Sequence, residues 1–469
     1  MIFTSYTYVL FLAAAFLIHW MLPHRARKPF LIAASYVFYG SWDWRFAFLL
    51  LGLSVFNWAY ARYVLARPVP GRLWPGILVN LTPLLIFKYT GFFYANVASV
   101  GRAFGAEWSA ELPFAILLPL GISFFTFQGI AYLIDVATGE EPFGFADFLL
   151  YKALWPQLIA GPIVRPGEIR ADIQRIRTLD YDDCAYGMQR ILFGFVKKVI
   201  LADSIAPVVD SVFASHTPNA LDVGVAIFGF GLQIYFDFSA YSDIAIGSAR
   251  LFGFRFPENF NWPYAARSPQ DFWNRWHMTL SRWIRDYVFT PLAFASRHKP
   301  KWTNVWLLVA MAAVGLWHGA QWTFVVWGIW HGLLLVANQT VLKRFFERAS
   351  ASRMRGLLAM IVTFSLVMAG WLLFRAESLA QVADYLRALA TMRGGIRPST
   401  VRVNGILLIL LYFAGLVVMQ MTRGTFAVLA VRPAPARVLR ALRPLGYVLL
   451  IVAVIVLDQE AKQFVYFQF

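Results

Sequence analysis

Apolar residues fall into long runs separated by short polar connections. The clear runs are Phe3–Met21, Ala47–Tyr60, Leu73–Phe87, Leu112–Leu133, Leu221–Phe236, Leu357–Phe374, Ile406–Met421 and Leu445–Leu457. Each reaches or approaches the ~20 residues a helix needs to cross a bilayer. The 41-residue stretch Trp302–Leu342 holds no Asp, Glu, Lys or Arg and is long enough for two spans. The pattern predicts an all-α, polytopic membrane protein with ten to twelve crossings and no soluble appendage, so residues 1–469 form a single membrane-embedded domain. The sequences "LWHGAQW" (316–322) and "IWHGLLL" (329–335) echo each other over three residues, too few to mark a repeat.

Two segments depart from simple spans. "LWPQLIAGPIVRPGEIRADIQRI" (154–176) carries three prolines and two glycines, which a straight helix does not tolerate. It predicts a broken or re-entrant element leading into an amphipathic surface helix, with its irregular backbone covered by protein or a wet cavity. "DFWNRWHMTLSRWIRDYVF" (271–289) packs five charged residues, three tryptophans and one histidine into 19 positions. Laid on a helix, Asp271, Arg275, Arg282, Arg285 and Asp286 share one arc. Phe272, Trp273, Trp276, Leu280, Trp283, Ile284 and Tyr287 fill the other. This predicts a continuous amphipathic helix at the membrane interface, rings inward and arginines toward water or headgroups. Together the two segments suggest a cytoplasmic vestibule.

Composition agrees: 59% of residues are hydrophobic and only 14% charged, against about 25% charged in soluble domains. The net charge of +17 does not point to nucleic acid. The basic residues sit in short loops, after the first run at Arg25, Arg27 and Lys28 and again at 165–177, 250–301, 343–355 and 423–443, as the positive-inside rule requires. Only 375–402 fits poorly. The alternation places both termini outside the cytoplasm. In the first run the charges follow the apolar stretch and no small-residue cleavage site appears, so it reads as a retained span and not a signal peptide. The single cysteine, Cys184, excludes an intramolecular disulfide and a cysteine-built metal site. Asp182 and Asp183 beside it disfavour a thiolate nucleophile.

Candidate chemistry rests on histidines. His277 falls with Trp273, Leu280 and Ile284, away from the polar arc. Burial disfavours a charged imidazole, and a neutral ring can accept a proton as a general base; a core histidine bonded to a carbonyl is the plainer account. His318, in "GLWHGAQW" (315–322), lies inside the charge-free stretch, where polar groups are costly and usually functional. Gly315 and Gly319 flank it and allow close approach of a backbone or ligand. The alternative is a hairpin tip facing water. His331 would face away from His318 on a continuous helix and reads as structural. His19, His24, His216 and His298 lie near span ends or loops. In "YFDFSAYSDIAIG" (235–247), Asp237 and Asp243 interrupt an apolar run; they either pair with arginines of 271–289, shape a cavity or cap a helix end.

These motifs resemble the membrane-bound O-acyltransferases. The resemblance is carried by "DFWNRWHMTLSRWIRDYVFTPL" (271–292) and "GLWHGAQWTFVVWGIWHG" (315–332), with support from "LPLGISFFTFQGIAYLIDV" (118–136), "WPQLIAGPIVRP" (155–166), "YFDFSAYSDIAIG" and the terminal "FVYFQF" (464–469). It is closest to the bacterial branch that acetylates alginate or transfers D-alanine to teichoic acids. Asn274 and Met278 lean toward the D-alanyl transferases, and the rest toward the alginate branch. The resemblance implies a family core at about 112–342 and a ring of about 11–12 spans around a thinned central funnel. It also implies His318 as the central catalytic histidine on the funnel floor and His277 as the second.

The resemblance further implies an acyl thioester donor, acetyl-coenzyme A or an acyl-carrier protein, with no permanently bound cofactor or metal. The acceptor is an extracytoplasmic polysaccharide, reached through a periplasmic SGNH-type partner with a serine nucleophile. Arg275, Arg282 and Arg285 are candidates for the donor's phosphates or for anionic lipid. Asn274, Trp276, Asp286, Trp317, Asp237 and Asp243 complete the expected substrate-binding set. D-alanyl transfer from a carrier-protein thioester is the alternative within the class. A transporter of a glycan or lipid intermediate is the alternative outside it, though the inverted repeat common in transporters is absent.

Overall fold

The structure is a computed structural model that describes residues 1, 3–65, 71–109, 112–175, 177–299, 301–348, 352–395, 405–412, 414–415, 433–457 and 464. Part of the expected span 406–421 and most of the aromatic terminus 464–469 lie outside them. Among the described residues every regular element is helical and no strand occurs. The chain is an all-α membrane protein.

Its first five helices are α1 (Tyr6–Met21), α2 (His24–Gly40), α3 (Trp44–Tyr60), α4 (Leu73–Leu84) and α5 (Thr90–Ala103). A π-helical turn at Leu85–Tyr89 joins the last two. Then come α6 (Ile122–Ala137), α7 (Phe145–Ala153), α8 (Trp155–Leu158), α9 (Pro166–Gln174), α10 (Tyr181–Phe195), α11 (Asp203–Phe213) and α12 (Ala220–Leu251). The remainder includes α13 (Pro269–Trp273), α14 (Met278–Ile284), α15 (Thr290–Ala295), α16 (Trp302–His318), α17 (Trp322–Gln339), α18 (Lys343–Glu347), α19 (Arg353–Arg375), α20 (Leu379–Ala390) and a helix at Pro433–Leu457.

Among the described residues, four helical segments are long and apolar enough to cross a bilayer: Trp44–Leu65, Leu73–Ala103, Ala220–Leu251 and Met354–Arg375. Shorter apolar helices at Tyr6–Met21, Ile122–Ala137, Trp302–His318 and Arg443–Leu457 accompany them. Many elements are thus shorter than a full span, which hydropathy runs do not reveal.

The longest helix, α12, has 83% of its apolar window inside the protein. It packs on α10, α11, α19 and α20 and forms the central post. Asn219 caps its start by accepting from the Asp222 N–H at 2.8 Å, which satisfies one of the first orphan donors. The first apolar run joins the same core, with the Tyr8 hydroxyl 2.7 Å from Ser248 Oγ on α12.

Segment 154–176 is broken as its prolines require. After the single turn α8, residues 159–165 are non-helical, yet 151–164 are all buried. Side chains satisfy its backbone: Tyr151 Oη donates to Val164 O at 3.2 Å, and Ile163 N–H donates to Thr279 Oγ1 at 3.0 Å. Gly121 opens α6 at φ 71°, with a Cβ there only 2.4 Å from Leu158 O, so glycine alone permits that turn against α8.

Candidate active site

The stretch 271–289 is not the continuous helix its periodicity suggested. It is α13, a break at 274–277, α14, and a π-helical turn at Arg285–Phe289. His277 stands at the break with φ 42° and ψ 53°, a left-handed conformation that costs a non-glycine residue about 1–3 kcal/mol. Asn259 is the cause. Its carbonyl accepts from Met278 N–H at 2.9 Å. Its side-chain Oδ1 lies 3.0 Å from His277 Nδ1 and accepts from Thr279 N–H at 3.3 Å and Thr279 Oγ1–H at 2.9 Å. A backbone N–H only donates, so the Asn259 atom it meets is oxygen; its Nδ2 accordingly donates to Ser242 Oγ at 3.1 Å. His277 Nδ1 therefore carries its proton, and in the neutral ring Nε2 is the basic nitrogen. His277 is fully buried.

His318 is the last residue of α16, and the connection 319–321 turns the chain into α17. It is a hairpin end, yet only 6% exposed, so the water-facing tip does not apply. Glycines press α16 and α17 together: a Cβ at Gly315 would lie 2.1 Å from Phe324 O, and one at Gly328 2.2 Å from Met311 O. The turn also revises the place of His331. It does not face away along one helix; on α17 it meets the same ring as His318, with Trp327 centroids 5.1 Å from His318 and 4.9 Å from His331.

Two cavities approach this hairpin. One, of about 250 Å³, is lined by His318, Trp317, Lys88, Tyr241, the start of α6 and the N-terminal Met1. The other, of about 530 Å³, is lined by Asn274, Trp273, Arg282, Arg285 and, on α16, Ala310, Met311 and Val314. They share no lining residue. Trp317, on the wall of the smaller cavity, stacks on Phe127 at 5.3 Å, Phe127 stacks on Trp283 at 3.8 Å, and Trp317 lies 6.1 Å from the His277 ring.

The expected binding residues divide. Asn274, Arg282 and Arg285 line the larger cavity, and Trp317 lines the smaller. Arg282 also pairs with Glu168 at 3.2 Å. Arg275 does not line either cavity and pairs with Asp271 at 2.7 Å. Trp276 is buried against Phe260 and Trp371. Asp286 joins Arg165 at 2.8 Å and Arg285 at 2.6 Å. Burial pushes its carboxyl up, but hydrogen bonds from Arg285 and Arg165 outweigh this and hold it below the ordinary aspartate range.

Asp237 and Asp243 are neither helix caps nor partners of 271–289. Both lie inside α12, Asp237 with Lys198 at 2.8 Å, and Asp243 with Arg190 at 2.7 Å and Lys197 at 2.6 Å. The helix they interrupt is paired by its neighbour chain segment, which their sequence context did not show. Cys184 is a free thiol pushed up first by burial, then by Asp180 and Asp183.

Two features escaped the sequence. Asn259 carries no local signal. Lys88 does: it is a lone charge closing the apolar run 73–87, and intramembrane charges are functional suspects.

The profile of MBOAT, the membrane-bound O-acyltransferase family, matches residues 139–374. A probable alginate O-acetylase AlgI of Azotobacter vinelandii is 40% identical over 390 residues, 81% of this chain and 76% of that protein. The chain belongs to the membrane-bound O-acyltransferase family. It is an O-acyltransferase of a membrane. Other family relatives include a peptidoglycan O-acetyltransferase of Helicobacter pylori, 33% identical over 82% of this chain and 78% of its own length. A teichoic acid D-alanyltransferase of Bacillus subtilis is 30% identical over 56% of this chain and 70% of its own.

Proposed function

We propose that this acyltransferase moves an acetyl group from a cytoplasmic thioester, acetyl-coenzyme A, to a hydroxyl of an extracytoplasmic polysaccharide. Support comes from relatives named for O-acetylation of alginate and of peptidoglycan. One observation carries the direction of transfer. His318 lines the cavity on the side of Met1, while Val314, one turn earlier on the same helix, lines the cavity of Arg282 and Arg285. The basic loops and the larger cavity then face the cytoplasm of a bacterial inner membrane, and the N-terminus faces out.

In this reading Arg282 and Arg285 hold the donor's phosphates. The acceptor oxygen attacks the thioester carbonyl as His318 takes its proton; the C–O bond forms, the C–S bond breaks, and the imidazolium returns the proton to the leaving thiolate. Such proton transfer contributes typically ~10²–10⁴-fold. His277 serves the same centre from the other side of Trp317. The hydroxyl belongs to the polysaccharide or to a serine of a periplasmic SGNH-type partner that completes delivery.

The test is thiol release and acyl transfer from radiolabelled acetyl-coenzyme A by the purified protein. His318→Ala is expected to lose the activity by at least about 10²-fold while keeping its unfolding temperature. Undiminished turnover in that variant overturns the assignment. Turnover only with a D-alanyl-loaded carrier protein overturns the acetyl donor.

A further inference from the structure

We infer that Lys88 and Tyr89 are positioning residues that clamp the end of α16 and thereby set the His318 ring. The last carbonyls of any helix have no intrahelical donor. At α16 the usual remedy of a left-handed glycine turn is missing, because Gly319 is extended at φ −154° and ψ 145°. Instead, three consecutive carbonyls are taken by two neighbouring side chains from another element. Tyr89 Oη donates to Leu316 O at 3.0 Å, and Lys88 Nζ donates to Trp317 O at 2.6 Å and to His318 O at 3.0 Å.

Both donors come from the π-helical turn Leu85–Tyr89, a type of distortion often retained at functional sites. Lys88 lines the same cavity as His318. The Lys88 amine donates at the negative end of the α16 dipole, in surroundings where an unmet carbonyl is costly. The clamp grips the residue that precedes the turn, so the ring leaves a backbone fixed from outside its own helix. A histidine at a frayed helix end would wander by far more than the ~1 Å that costs about 10²-fold in a positioned reaction.

The inference rests on His318 as the reacting base, and the measurements separate the two. Amide hydrogen exchange of the full-length protein is read in peptides covering 315–321 and 302–310, with kcat and KM for acetyl-coenzyme A in parallel. Lys88→Met is expected to speed exchange at 315–321 about tenfold or more, leave 302–310 unchanged, and lower kcat by roughly 10–100-fold at unchanged KM. Lys88→Arg restores most of both. Tyr89→Phe, which removes one bond only, gives the same pattern on a smaller scale and serves if Lys88→Met does not fold. Unchanged exchange at 315–321, a uniform rise along α16, or a loss confined to KM overturns the clamp. Full activity in His318→Ala sinks the functional reading instead, and leaves the exchange result standing.

Discussion

His277 Nδ1 sits 3.0 Å from Asn259 Oδ1, and that oxygen is also held by Thr279. One asparagine thus bends the chain into a left-handed residue, buries the ring and selects its tautomer. Asn259→Leu is expected to lose about 10²-fold in rate, the low end of the range for proton-transfer groups, and to give a mixture of tautomers. Long-range proton–nitrogen spectra of labelled histidine report this. A wild-type ring protonated on Nε2 instead of Nδ1 refutes the assignment.

The proposed donor site divides the arginines. Arg282→Ala and Arg285→Ala are expected to raise KM for acetyl-coenzyme A by about 10–100-fold, since charge-assisted bonds to phosphate contribute about 1.5–3 kcal/mol each. Arg275→Ala, whose partner is Asp271, leaves KM unchanged. Equal effects at all three positions would show a general surface-charge effect.

The close seam of α16 and α17 depends on absent side chains. Gly315→Ala and Gly328→Ala each force a methyl into a carbonyl, and overpacking of this kind costs typically about 1–3 kcal/mol. Loss of thermal stability in detergent, with lower activity, is the expected result; unchanged melting would mean the seam is looser than described.

Lys198 and Asp237 form a pair of which both side chains are 1% exposed. Lys198 also pairs with Asp203 at 2.9 Å, so Asp237→Ala leaves it a carboxylate partner and is expected to destabilise by less than the about 3–5 kcal/mol of a fully broken buried pair. Lys198→Met combined with Asp237→Leu recovers much of it. Denaturation of the two variants decides whether these groups serve folding or catalysis.

Asp286 gives an acid signature. Its folded carboxyl is held below the ordinary value of 3.8, so it contributes stability above that pH and loses it as pH falls through the lower folded value. Asp286→Asn should lower the neutral plateau, where that contribution is fully present, and flatten this acid limb of the stability profile between pH 5 and the acid limit. An unchanged acid limb contradicts it.

Legibility in the sequence followed the range of the forces involved. Membrane insertion depends on the sum of side chains over ~20 positions, so the all-helical architecture was visible in runs such as 221–236. The prolines of 154–176 act on their own backbone and announced the break there. Segment 271–289 failed because amphipathic periodicity assumes a continuous helix, whereas a bond from Asn259, 18 residues away, overrides it. Asp237 and Asp243 were visible as anomalies, but their partners on 190–198 were not, since pairing across helices leaves no spacing signature. His318 stood out through its charge-free surroundings. Lys88, 230 residues distant from its acceptor, had no neighbour to explain it.

The separation of the two cavities bears on the cell's energetics. In the proposed orientation the two cavities open to opposite faces of the membrane, and the residues that separate them carry much of the transmembrane voltage. A proton taken up from one recess and shed into the other would exchange about 2.3 kcal/mol with the field for every 100 mV. In the proposed transfer the acceptor's proton passes to the leaving thiolate as the acyl group passes the other way, so no net charge crosses, and turnover is expected to be insensitive to an uncoupler.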